Sequence, residues 1–181
     1  MTVEETGLPG VLLITPRIYR DDRGAFWETW NRNAMTEAGL PEFWAQDNFS
    51  LSTKSVVRGI HYQVSQPQGK LVRATHGAVI DVAVDLRRSS PHFGKHFTVE
   101  LSGENGRMLW IPVGFGHGIL VISETAGFAY KVTDYYAPAS ERTILWNDPD
   151  LAIPWPVDAC EAIVSAKDQA GLRLKEAELF A

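Results

Sequence analysis

The chain has 181 residues, 45% of them apolar and 22% charged, with a formal net charge of −5. That length buries a full hydrophobic core, and the composition excludes a disordered chain. The acidic balance excludes a general nucleic-acid coat, but leaves room for an anionic small ligand held by local arginines and lysines.

Strands are expected over 10–16 and 26–30. A helix follows over 31–40, where Ala34, Met35 and Ala38 fall at helical spacing and Gly39 stands near the end. Further strands are expected over 56–63, 70–75, 78–86, 96–101, 107–111, 118–123, 127–136 and 142–146. The clearest is 78–86, where Ala78, Ile80, Val82, Val84 and Leu86 share one face and Asp81 and Asp85 the other. Asp22-Arg23-Gly24, His76-Gly77, Ser102-Gly103-Glu104-Asn105-Gly106 and Ala137-Pro138 supply turns between them. A last helix is expected over 165–179, opening on Ser165-Ala166-Lys167-Asp168 with the spacing of a capping box. About ten short strands at this spacing argue for an all-β sandwich or barrel. No internal repeat, low-complexity tract or linker interrupts the chain, so one domain over 1–181 is expected.

Several familiar patterns fail. No apolar run reaches the roughly 18 residues of a membrane span. Met1-Thr2-Val3-Glu4-Glu5 carries acids where a secretory signal needs bases, so Asn48-Phe49-Ser50 is not expected to be glycosylated. Gly114-Phe115-Gly116-His117-Gly118 lacks the third glycine's spacing and the following helix of a dinucleotide loop, and Gly69-Lys70-Leu71 lacks the residues of a phosphate loop. Cys160 is the only cysteine, which excludes an internal disulfide and a cysteine-rich zinc module, and the simplest reading is a cytoplasmic protein. A metal-binding β-barrel would offer two histidines two apart on a strand, whereas here His61 is followed by Gln63, so no metal is expected.

Three polar patches survive. In Arg58-Gly59-Ile60-His61-Tyr62-Gln63, a regular strand puts Gly59, His61 and Gln63 on one face, and the glycine leaves space for a ligand. A surface histidine on a strand edge is the plain alternative. In Phe128-Ala129-Tyr130-Lys131-Val132-Thr133-Asp134-Tyr135-Tyr136, Tyr130 and Tyr136 share parity and would line one face, unless this is simply a tyrosine-rich core strand. In Asp21-Asp22-Arg23-Gly24-Ala25-Phe26-Trp27-Glu28, Arg23 stands in a turn ahead of Phe26 and Glu28. That patch reads equally as an ordinary charged turn.

These patches belong to a larger ordered set. It includes Gln46-Asp47-Asn48-Phe49-Ser50, Gln68-Gly69-Lys70-Leu71-Val72-Arg73, Asp81-Val82-Ala83-Val84-Asp85-Leu86-Arg87, Ile111-Pro112-Val113-Gly114-Phe115-Gly116-His117-Gly118 and Trp146-Asn147-Asp148. In this order and spacing, from about Gly10 to Leu179, the chain resembles the dTDP-4-dehydrorhamnose 3,5-epimerase family. Ile60, Gly116 and Ile119 depart from the family's commoner leucine, alanine and phenylalanine, and remove no catalytic group.

The resemblance implies an all-β, cupin-like double-stranded β-helix (a jelly roll) with the two helices above, working without metal or cofactor. It implies a homodimer with exchanged N-terminal strands, acting on a dTDP-linked 4-keto-6-deoxy sugar, while charge and the lack of an apolar span argue against nucleic acid and membrane as partners. His61 matches the catalytic base, Tyr130 the acid on the opposite sugar face, Lys70 the lysine near the keto oxygen and Asp168 the carboxylate that partners the histidine. Arg23, Phe26, Glu28, Gln46, Asn48, Arg58, His117, Glu141 and Lys167 match substrate contacts, and Tyr136 the aromatic that stacks on thymine. The chemistry is coherent, because a proton beside a ketone leaves readily only if the enolate oxygen is stabilised, and imidazole titrates near neutral pH. A single-site 3- or 5-epimerase shares these residues. A metal cupin and a non-catalytic sugar-binding cupin are the more distant alternatives.

Overall fold

A computed structural model describes the whole chain, residues 1–181. Fourteen strands and two short helices follow one another as β1 Thr2–Glu5, β2 Leu12–Thr15, β3 Tyr19–Asp21, β4 Gly24–Phe26, α1 Arg32–Glu37, β5 Gln46–Thr53, β6 Val56–Gln63, β7 Lys70–His76, β8 Ala78–Asp85, β9 His96–Ser102, β10 Met108–Ile111, β11 Phe115–Val121, β12 Thr125–Val132, β13 Glu141–Thr143, β14 Ile163–Val164 and α2 Ala166–Gln169. One sheet has the order β1-β2-β10-β7-β12-β5, and the other β13-β6-β11-β8-β9 with β14 alongside β6. From β5 to β13 the chain alternates between the sheets, apart from the β8–β9 hairpin, and so winds a double-stranded β-helix. This is the cupin-like jelly roll that the resemblance implies. No helix is long and apolar enough to cross a membrane.

The two sheets close on one another through Val72, Ala74, Leu109 and Phe128 from one side and Val79, Ala83, Leu101, Phe115 and Ile119 from the other. Burying these side chains on both inner faces is what joins the layers. A second cluster covers the outer face of the β6–β11–β8 sheet, where Ile60, Tyr62, Val82 and Val84 meet Leu174 and Ala177 of the C-terminal tail. A third sets Met35 of α1, with Leu40, against Ile14, Leu71, Met108 and Trp110 of the other sheet.

Several expectations are corrected. No strand spans 26–30. The β3–β4 hairpin ends at Phe26, Trp27 turns toward Gly106, and Trp30 joins an edge-on aromatic contact with Trp44 at 5.4 Å. The last helix stops after one turn. Leu172 instead exchanges backbone hydrogen bonds with Thr143 and Leu145, which lays the tail along the sheet and buries its apolar residues there. The strand expected over 127–136 ends at Val132, so Tyr136 stands in a loop rather than on the Tyr130 face. The face of β8 that carries Asp81 and Asp85 is polar, as its pattern reads, yet buried. Both are 0% exposed, and Asp81 points into the barrel beside Val79 and Ala83.

Candidate active site

The site begins with an irregularity in β6. His117 of β11 pairs with His61, but Ile119 pairs with Arg58, so β6 carries one extra residue between the two pairs. Such a bulge reverses side-chain parity, and Arg58 and His61 therefore line the same cavity. Gly59 sits in the bulge at φ +121, and a Cβ there would come within 2.6 Å of Gly118 Cα and of the His117 carbonyl oxygen. Glycine thus allows two backbones to touch; the space expected beside it for a ligand is filled by β11.

His61 Nε2 lies 2.6 Å from Asp168 Oδ1, and Asp168 Oδ2 accepts the Gly59 amide at 3.3 Å. Burial raises the Asp168 pKa, but the hydrogen bonds from His61 and Gly59 outweigh it and hold the carboxyl below its ordinary value. Lys70, at the start of β7, is 9% exposed and donates to the His61 carbonyl at 3.4 Å. Burial pushes its ammonium down to about 8, while Glu141 and Asp81 hold it up and Lys167 pushes it further down. Tyr130 comes from β12 on the facing sheet, and burial raises its phenol above the ordinary value.

His61, Lys70 and Tyr130 line two adjoining cavities of about 280 and 240 Å3 that also share Tyr136 and Glu141. The mouth is a network. The Tyr136 hydroxyl donates to Glu141 Oε2 at 2.7 Å, and Lys167 forms an ion pair with the same oxygen. Burial opposes ionisation of Glu141, but the hydrogen bonds from Lys167 and Tyr136 keep its pKa low. Gln46 Nε2 donates to Asn48 Oδ1 at 2.6 Å, and Arg58 Nε to Ser52 Oγ at 3.0 Å.

The structure brings together His61, Lys70, Tyr130, Asp168, Gln46, Asn48, Arg58, His117, Tyr136, Glu141 and Lys167 around this space. It leaves out Arg23, Phe26 and Glu28. The Arg23 side chain is 90% exposed and bound to Asp21, Phe26 is 70% exposed, and Glu28 accepts from Asn31 Nδ2 at 3.2 Å. Within one chain these three lie outside the cavity.

Sequence reasoning missed Asp81, whose Oδ2 lies 2.9 Å from His117 Nε2. Burial lowers the His117 pKa, and Asp81 offsets part of that. The strand pattern puts the aspartate on a polar face, and only the closure of the barrel shows that face to be an interior. Sequence reasoning also missed β5. Its inward side chains are Gln46, Asn48, Ser50 and Ser52, and its outward ones include Phe49 and Leu51, both exposed. That polarity is the reverse of an ordinary amphipathic strand.

A jelly roll whose interior gathers a histidine–carboxylate pair, a buried lysine and a tyrosine belongs among the cupin-like enzymes. Known proteins narrow that class. The family model described as dTDP-4-dehydrorhamnose 3,5-epimerase matches residues 5–176. The dTDP-4-dehydrorhamnose 3,5-epimerase of Pseudomonas aeruginosa is 51% identical over 181 residues, covering 99% of each chain. That of Escherichia coli is 48% identical over 178 residues, covering 97% of this chain and 96% of its own. A crystal structure of dTDP-6-deoxy-D-glucose-3,5-epimerase from Legionella pneumophila, in complex with dTDP-4-keto-L-rhamnose, is similar with a TM-score of 0.94 at 47% identity, covering 98% of this chain and 94% of its own. The chain belongs to the dTDP-4-dehydrorhamnose 3,5-epimerase family, and is an isomerase.

Proposed function

We propose that the chain converts dTDP-4-dehydro-6-deoxy-D-glucose to dTDP-4-dehydro-L-rhamnose by inverting carbons 3 and 5. The observation that carries this reading is the placement of His61 and Tyr130 on opposing sheets across one cavity, with buried Lys70 on β7, the strand beside Tyr130's β12. His61 takes the proton from the carbon beside the ketone, and the electron pair moves onto the carbonyl oxygen. Lys70 stabilises that oxyanion. Tyr130, kept protonated by burial, gives its proton to the carbon from the other face, which inverts the centre. Proton exchange with water then restores both groups. Asp168 orients the imidazole and stabilises its cation.

The nucleotide reading extends outward. Tyr136 stacks on the base, and Arg58, Gln46, Asn48, His117, Glu141 and Lys167 bind the nucleotide sugar. Arg23, Phe26 and Glu28 complete the site of a second copy in a homodimer with exchanged N-terminal strands. Two features support this: the three residues do not reach their own cavity, and the β3–β4 hairpin exposes Tyr19 and Phe26. We read residues 1–181 as one catalytic domain, because Asp168 is delivered to β6 from near the far end of the chain. A cytoplasmic location fits the single exposed cysteine, Cys160.

The test is incubation of dTDP-4-keto-6-deoxyglucose with the protein in deuterated water, followed by NMR at carbons 3 and 5. Deuterium at both carbons is expected. Deuterium at one alone would make the chain a single-site epimerase, and deuterium at neither would end the proposal.

A further inference from the structure

Gln63 ends β6 two residues after His61 and is 4% exposed. It lines the cavity, yet its amide is committed elsewhere. Nε2 donates to the Gln66 carbonyl at 2.6 Å and to the Tyr135 carbonyl at 3.2 Å, while Oε1 accepts from the Ala137 amide at 2.9 Å. Both amide hydrogens are used inside the protein, which leaves no donor for a ligand.

The backbone groups it holds flank Tyr136 on either side. Nearby bonds complete the clamp: Gln68 Nε2 donates to the Asp134 carbonyl at 2.8 Å, Thr133 Oγ1 accepts the Gly69 amide at 2.8 Å, and Gln46 Oε1 accepts the Tyr136 amide at 3.2 Å. Residues 133–137 have no regular secondary structure, and the Tyr136 ring is exposed. Glu141 holds the ring at its hydroxyl end, and with the ring otherwise exposed the backbone beneath it sets where the ring starts from.

We propose that Gln63 is a positioning residue for the nucleotide base, holding the Tyr135 carbonyl and Ala137 amide so that Tyr136 stands at the cavity mouth before ligand arrives. It rests on the reading of Tyr136 as the stacking aromatic. A loop ordered in advance does not lose that freedom on binding, and affinity gains accordingly. The inward position two residues after His61 thus secures a loop, where a metal-binding barrel would place a second ligand.

The experiment compares Gln63→Leu, Tyr136→Ala and the double variant by dTDP titration, steady-state kinetics and amide hydrogen exchange. Gln63→Leu should speed exchange of the Ala137 amide and raise the Kd for dTDP at least about fivefold. It should raise KM while leaving kcat within about twofold. In the double variant it should add nothing to the loss from Tyr136→Ala. Gln63→Glu keeps the acceptor for Ala137 but loses both donations; it should show the same direction of change, and it serves where the leucine variant does not fold. Unchanged exchange at 135–137, unchanged dTDP affinity, or additive losses in the double variant would each overturn the inference. If Tyr136→Ala leaves dTDP affinity intact while Gln63→Leu still speeds exchange, the stacking reading fails and the clamp on the loop survives.

Discussion

Asp168 and His61 meet at 2.6 Å although 107 residues separate them in the chain. The spacing of Ser165-Ala166-Lys167-Asp168 suggests a helix cap, and the cap is real, but Ser165 supplies it: its Oγ accepts the Asp168 amide at 3.1 Å. The Asp168 carboxylate faces the other way, toward β6. The two roles should therefore separate by mutation. Ser165→Ala should cost about 1 kcal/mol of stability with turnover retained. Asp168→Asn and His61→Ala should each lower kcat on the order of 10²–10⁴-fold. Thermal unfolding and initial rates read the two effects. An Asp168→Asn protein that loses stability but keeps full turnover would return the residue to a structural role.

Lys70 gives a pH dependence. Its ammonium titrates at about 8 instead of 10.5 because it is buried. The rate should fall as pH rises through about 8, since only the charged form stabilises an enolate oxygen. Stability should move the other way. The folded pKa lies below the unfolded one, so the unfolded chain binds the proton more tightly and the cost is present in full below about 8. It shrinks as pH rises toward 10.5 and totals roughly 3 kcal/mol. Lys70→Met should accordingly unfold no earlier than wild type at pH 7 while losing turnover. A variant that keeps its activity, or a rate that stays flat from pH 7 to 9.5, would contradict the role.

The sequence was informative wherever one strand face is apolar and one polar. β6 matches its expected span at both ends, while β7, β8, β9 and β10 each differ from expectation by a single residue at one end. Legibility failed where function reverses that pattern. β5 turns Gln46, Asn48 and Ser50 inward because the interior there is a polar cavity, and its outward Phe49 and Leu51 then look misplaced. The bulge at Gly59 was equally hidden, since parity counting assumes an unbroken ladder. Asp81 needed both sheets in place before its side of β8 could be seen as buried. Arg58, His61 and Lys70 could be named from motif resemblance, whereas their common cavity required the register.

Tyr136 should act on binding more than on chemistry. Its ring is exposed at the mouth, and its hydroxyl is taken by Glu141, which raises the phenol pKa. Tyr136→Ala should raise KM about tenfold, the range expected for losing an aromatic platform under a base. Tyr136→Phe keeps the ring and should stay close to wild type in KM. A large fall in kcat with KM unchanged in Tyr136→Ala would place the residue in the chemistry instead.

Arg23 tests the assembly. Its guanidinium is bound only to Asp21, two residues away on the same exposed hairpin, and surface pairs of that kind contribute little to stability. An arginine so placed is free to exchange a carboxylate for a diphosphate, which it can grip through paired hydrogen bonds. It cannot do so at its own cavity, which it does not line. If a second copy brings the hairpin to that cavity, Arg23→Ala should weaken dTDP binding about tenfold or more and leave the dimer intact by light scattering. The same substitution should leave the unfolding temperature nearly unchanged. A mixed dimer makes the geometry explicit. One subunit carrying Arg23→Ala and the other His61→Ala should retain one site that lacks both groups and one that has both, and hence about half of wild-type turnover if each site is independent. Without exchange, the His61→Ala subunit is dead and the Arg23→Ala subunit keeps its own arginine-deficient site, so no fully competent site remains. A wild-type KM in the active fraction of that mixture supports sharing. A raised KM there, or a fully active monomer at assay concentration, would rule it out.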